Sequence, residues 1–179
     1  GANIGSISIS CEDKTKLMFL TSSSHNANLG GISGADAMCA TAAANLSLDG
    51  VYKALIGDSS RIPCTSGNCA TSGSEENVNW VLTPYTTYLR ASDEAVIGTT
   101  TANAIFNLPL NHSIDSSNKI VWTGLTNSWT LHADRCNDWN SSQGWRLGNT
   151  GLSGATDNKS ISNVTHTCND SYRFYCVEQ

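Results

Sequence analysis

Cysteine, histidine and tryptophan carry most of the chemistry open to this 179-residue chain. The cysteines stand at 11, 39, 64, 69, 136, 168 and 176. A structural zinc site would want close C-x-x-C pairs, and there are none. Wide spacing favours disulfides, and disulfides in turn mean an oxidising compartment. Spacing alone leaves the connectivity open. Within Cys64-Thr65-Ser66-Gly67-Asn68-Cys69 the two sulfurs can close a small hairpin staple.

The four histidines, at 25, 112, 132 and 166, are scattered. His132-Ala133-Asp134 is the one close pair with an acid; on a strand both would share a face and could hold a metal or act as a base. Loop polarity explains the pair as well. Serines are plentiful, but no G-x-S-x-G elbow occurs. Gly31-Ile32-Ser33-Gly34 and Gly151-Leu152-Ser153-Gly154 read as a helix cap and a turn. No paired carboxylates mark an apolar pocket, so no catalytic residue, metal ligand or cofactor is assigned. Trp129 and the Trp145-Arg146 pair lie in loop sequence, and Trp and Arg are enriched at binding hot spots. They read either as surface anchors or as the packing of a loop's own small core.

The last sixty residues supply the frame for these groups. Ile120-Val121-Trp122 leads in as a strand, Trp139 follows Cys136, and about thirty polar, Gly-rich residues precede Cys168. A loop that polar offers too little apolar surface to offset its ordering entropy. A covalent tie across its base would do so, and Cys136 and Cys168 are placed to provide it. Cys176, on a terminal strand over 172–177, would then need a partner far upstream.

Upstream, residues 1–15 read as a tail and 16–179 as one domain. Residues 16–21 form a strand, too short for a helix of their own. A helix opens at Ser33, which can cap it, with Asp36 near the positive end of its dipole. Ala35, Met38, Cys39, Ala42, Ala43 and Leu46 share its buried face. Residues 51–56 are strand or short helix, 61–77 a polar loop, 78–82 a strand ended by Pro84, and 119–124 another strand. Residues 88–107 hold an edge strand and loop. First and last strands that both carry core aromatics can close on each other and bring the termini together.

Composition narrows the partners. Charged residues are only 14% and apolar ones 39%, enough for a core. A net charge of −5, with its ten Lys and Arg dispersed, argues against nucleic acid or an anionic membrane as main partner. No run is long enough to span a membrane, and an exported chain would stand here in processed or truncated form. Asn-x-Ser/Thr triplets at Asn45, Asn111, Asn140, Asn158, Asn163 and Asn169 lean towards a bacterial origin, where they would be ignored.

Gly34-Ala35-Asp36 with Cys39, Val51-Tyr52-Lys53-Ala54-Leu55, Val121-Trp122-x-Gly124, Cys136-x-x-Trp139 and the pair Cys168 and Cys176 resemble endostatin. Endostatin, the C-terminal module of collagen XVIII, is related to the C-type lectin fold. Residues 76–82, Ile97-Gly98-Thr99-Thr100, Trp122-Thr123-Gly124-Leu125 and the ending Cys176-Val177-Glu178-Gln179 resemble still more closely the leptospiral endostatin-like outer-surface lipoproteins. The likeness covers about residues 16–179. It implies an α+β, endostatin-like fold with a mixed, mostly antiparallel sheet, one main helix and long loops. It implies nested disulfides, Cys39 to Cys176 and Cys136 to Cys168, with Cys64 to Cys69 as a third pair. By loop closure the nested pair would contribute roughly 5 and 4 kcal/mol.

The resemblance also implies a non-catalytic function to be tested: a monomeric, lipid-anchored surface adhesin for complement factor H, laminin, fibronectin or plasminogen. A lipid-bearing Cys11 would need an apolar signal segment before it, and residues 1–10 hold none, so the anchor is expected outside this chain. Some endostatin and lectin properties do not carry over. No His precedes His25 for a zinc site, the five Arg form no heparin cluster, and both halves of the lectin calcium motif are missing. Pro109 lies between leucines, and Val164-Thr165-His166-Thr167 precedes Cys168. The alternative is a carbohydrate-binding module without that calcium motif. A peptide map of the unreduced protein is expected to recover Cys39 linked to Cys176 and Cys136 linked to Cys168; a crossed pairing would break the resemblance.

Overall fold

The computed structural model describes residues 15–66, 69 and 76–179. The expected tail, with Cys11, lies outside the described residues except for Thr15, which already opens a strand. Along the chain follow β1 (Thr15–Leu20), α1 (Gly31–Asn45), β2 (Tyr52–Ala54), β3 (Thr87–Arg90), β4 (Val96–Thr99), β5 (Ile120–Trp122), β6 (Leu147–Leu152), β7 (Thr165–Thr167) and β8 (Tyr175–Glu178). One sheet runs β2-β8-β1-β3-β4 and a smaller one β5-β6-β7. Within both, β1 with β3 is parallel and the other pairings are antiparallel. The chain is thus α+β with one main helix and mostly antiparallel sheets. No described helix is long and apolar enough to cross a membrane.

β1 and β8 lie at the middle of the large sheet, with Met18 opposite Val177 and Leu20 opposite Tyr175. Met18, Leu20, Tyr175 and Val177 point into one apolar cluster with Tyr88, Ile97 and Phe106. Phe19 and Cys176 point into the other, under Ile32, Ala35 and Cys39 of α1. Burial of both faces explains why Leu17-Met18-Phe19-Leu20 and Phe174-Tyr175-Cys176-Val177 are unbroken apolar runs rather than alternating ones. The Cys39–Cys176 disulfide, with Cα atoms 5.5 Å apart, ties α1 to β8.

Several elements depart from the sequence reading. α1 begins at Gly31, two residues before Ser33, and no side chain caps it. Gly30 and Gly31 take φ of 80° and 67°, a reversal that glycine permits and that swings the chain straight into the helix. Leu46, expected on the buried face, is exposed at the helix end. Residues 78–82 form no strand: Asn77 and Asn79 have positive φ, which breaks the extended run, and Val78 makes a single bridge to Ile62. Val81 and Leu82 are buried all the same. The segment that reads as a long loop between Cys136 and Cys168 carries β6 and β7.

The departure with most energetic weight is Asp36, which does not serve the helix dipole. Its carboxylate accepts from both Nη atoms of Arg61 at 2.8 and 2.7 Å and from the Ala54 amide at 2.9 Å. Arg61 is wholly buried, and it also donates to the carbonyls of Ala54 at 2.7 Å and Asn79 at 3.0 Å. One guanidinium therefore joins α1, β2 and the segment after Asn77. Removing one member of such a buried pair strands the other, at a cost of about 3 kcal/mol or more. Arg61→Ala is expected to lower the melting temperature by roughly 6–12 °C, read by thermal unfolding of the oxidised protein. A shift within about 2 °C would show that the pair is dispensable.

Candidate functional site

The rim of the small sheet is built on an unusual backbone. Cys136, Asn137, Asp138 and Trp139 have φ of 51°, 57°, 51° and 60°, one turn of left-handed helix made without glycine. L-residues resist this by about 1–2 kcal/mol each. Asn and Asp tolerate it best because their side chains bond locally; Cys136 and Trp139 are forced from outside. Cys136 is bridged to Cys168 with Cα atoms 5.7 Å apart. The Trp139 indole is fully buried and donates to the Gly57 carbonyl at 3.0 Å. Asp138 accepts from Ser59 at 2.7 Å and from Arg135 at 2.9 Å. Partial burial opposes the Asp138 charge, but these hydrogen bonds and the Arg135 charge outweigh it and hold its carboxyl below the ordinary value.

Opposite this turn runs the start of β6. Arg135 bridges Gly148, and a Cβ on Gly148 would lie 2.7 Å from the Cys136 sulfur and 3.0 Å from the Trp122 ring. Glycine there lets strand and disulfide close on each other. The chain just before β6 then presents Trp145, 71% exposed, with the Arg146 guanidinium 4.5 Å from its ring centroid. The Arg146 carbonyl accepts from the Cys168 amide at 3.0 Å, so the disulfide holds this side as well.

Between the two sides lies a cleft of about 280 Å³, lined among others by Asp134, Asn137, Trp145 and Arg146. Its polar groups are largely unspent among the described residues. The Asn137 amide and the Trp145 indole N–H bond to no protein group, and Arg146 uses only Nε, on Gln143 at 3.2 Å. The Asp134 carboxylate faces His132 at 3.7 Å and accepts no hydrogen bond. Arg146 and Trp145 lie stacked together at this rim. Trp129 is not part of the surface. It is 4% exposed, packs against Trp80 and Phe106, and donates to the Phe106 carbonyl at 3.1 Å, so it belongs to the core.

The sulfurs pair as Cys39 with Cys176, Cys136 with Cys168 and Cys64 with Cys69. His132 and Asp134 do face each other, though no group of three or more metal-ligating side chains occurs among the described residues. A larger polar hollow beside the N-terminus of α1 holds Asp36, Asp58 and Asp138. Those carboxylates are already engaged by Arg61, Ser60, and Ser59 with Arg135. Sequence reasoning named Asp134 only with His132 and did not place it, or Asn137, in one cleft with Trp145. The one available signal was the glycine spacing in Leu147-Gly148-Asn149-Thr150-Gly151-Leu152, which marks a strand pressed against neighbouring backbone.

Residues 22–156, most of the chain, match the family described as protein of unknown function (DUF1554). No curated protein matches the chain.

The contrast between the tryptophans is directly measurable. Trp129→Ala empties a buried site and is expected to cost about 3–5 kcal/mol. Trp145→Ala removes an exposed ring and should stay within about 0.5 kcal/mol of the parent. Denaturant unfolding of both variants decides it; equal losses would mean that Trp145 is structural.

Proposed function

We propose a function for this chain, which belongs to the family described as protein of unknown function (DUF1554): it is a non-catalytic adhesin of a bacterial surface that binds host macromolecules. The proposal includes an endostatin-like, C-type-lectin-like fold, action as a monomer, and a lipid anchor lying outside the chain. Factor H, laminin, fibronectin and plasminogen are the proposed ligands, on the strength of the resemblance over residues 16–179. Nested disulfides in the order that the resemblance implies support it.

The observation that carries the reading is the stacked Trp145–Arg146 pair, exposed on a rim fixed by the Cys136–Cys168 disulfide. A rigid Trp presents large contact area at small entropic cost on binding. Arg146 keeps both Nη atoms available for a partner's carboxylates or carbonyls. A net charge of −5 leaves such contacts local rather than driven by a basic field.

Oxidised protein passed over the four immobilised ligands in physiological salt is expected to bind at least one saturably. Arg146→Ala should weaken that binding about fivefold or more with an unchanged melting temperature. Absence of saturable binding to all four retires the proposal.

A further inference from the structure

We infer that the cleft between the left-handed turn and Trp145 is a glycan-binding subsite, and that it takes an uncharged pyranose residue of an oligosaccharide. The inference rests on the adhesin reading for its biological ligand, and it names the chemistry that such a ligand presents. The argument begins from what the cleft offers. Trp145 is the most exposed of the ring systems at this rim, and an indole face matches the C–H face of a sugar ring, which is apolar and slightly positive. At about 280 Å³ the cleft holds one sugar ring rather than a folded peptide segment.

The polar groups match the rest of a sugar. Each hydroxyl is both a donor and an acceptor, so a sugar needs a mixed set of partners. The Asp134 carboxylate accepts from neighbouring hydroxyls, the Arg146 Nη atoms donate, and the Asn137 amide does both. None of these functions is consumed by a protein hydrogen bond among the described residues. Unspent donors and acceptors around an exposed aromatic ring distinguish this cleft from the larger hollow beside α1, whose carboxylates are engaged.

Charge selects the class of sugar. Asp134 and Arg135 line the cleft, and Arg135 is neutralised by Asp138 at 2.9 Å. The Asp134 carboxylate, with only the His132 ring beside it at 3.7 Å, balances the one available guanidinium, which gives no net attraction for a sulfated or sialylated residue, and Asp134 repels its anionic group. A neutral hexose meets no such penalty. The left-handed turn sets Asn137 and the Cys136–Cys168 disulfide sets Trp145, so the two walls hold their spacing before the ligand arrives.

The test uses the whole oxidised chain in two assays. On an array of glucose-, galactose-, mannose- and N-acetylglucosamine-terminated oligosaccharides, with sialylated and sulfated ones alongside, the protein is expected to bind neutral glycans. Trp145→Ala should weaken binding about tenfold or more, Trp145→Phe should retain most of it, and Asp134→Asn and Asn137→Asp should each alter it, with melting temperatures unchanged. Binding to charged glycans alone, to no glycan, or with full strength in Trp145→Ala overturns the inference. The second assay compares the host glycoproteins before and after enzymatic deglycosylation. Equal binding to both forms overturns the glycan inference and leaves the adhesin reading standing. Binding to neither form, with neutral glycans bound on the array, removes the adhesin reading and leaves the subsite.

Discussion

The left-handed turn over Cys136, Asn137, Asp138 and Trp139 is the constraint around which the small-sheet half of the molecule is arranged. At about 1–2 kcal/mol per residue its backbone opposes folding by roughly 4–8 kcal/mol, as much as the net stability of a typical domain. It persists only because its neighbours leave no alternative. The Cys136 sulfur is bound to Cys168, the Trp139 indole is enclosed beside Trp122 with centroids 5.8 Å apart, and the Leu29 amide donates to the Trp139 carbonyl at 2.9 Å. Covalent, apolar and polar ties therefore converge on four residues. That degree of support is what permits a strained backbone to be placed at a surface cleft.

Those ties reach back to the large sheet. Trp122 packs against Trp139 on one side and Tyr172 on the other, and its amide donates to the Arg173 carbonyl at 2.8 Å just before β8. β8 in turn is held by β1 and β2 and by the disulfide to α1. Arg61 closes the same assembly from the far side by joining α1 to β2. The two disulfides therefore act in series: the outer one fixes β8, the chain entering β8 fixes Trp122, and Trp122 backs the turn that the inner one holds.

How much of this could be read from the residues depended on whether the signal was local. Cys39 on a helical face, the apolar runs of β1 and β8, and the Cys136 and Cys168 pair at the ends of a polar stretch were all legible. β6 left only its glycine spacing as a signal, because Gly148 and Gly151 lie against Cys136 and the Ser160 backbone, contacts that the residues alone do not show. The strand expected at 78–82 failed for the opposite reason, since its apolar residues are buried without extended geometry. Trp129 and Trp145 look alike as letters in polar sequence. Only the distant Trp80 and Phe106 make one of them core. The Asp36–Arg61 pair was likewise invisible, its members lying on different elements.

The fate of four arginines explains how a net-acidic chain can still offer a cationic contact beside an aromatic ring. Arg61 is spent wholly inside the fold, Arg90 is buried on the Ser113 carbonyl and Asp93, and Arg135 is paired with Asp138. Arg146 is different: it lies on an indole face, which attracts its charge without consuming its Nη hydrogens. Stacking also restricts the long side chain before any partner is met, so less rotamer entropy is lost on contact. On the proposed reading, specificity at this rim would come from shape and from the pairing of one acid, one amide and one guanidinium around a ring. A broader basic surface would bind more strongly but discriminate less.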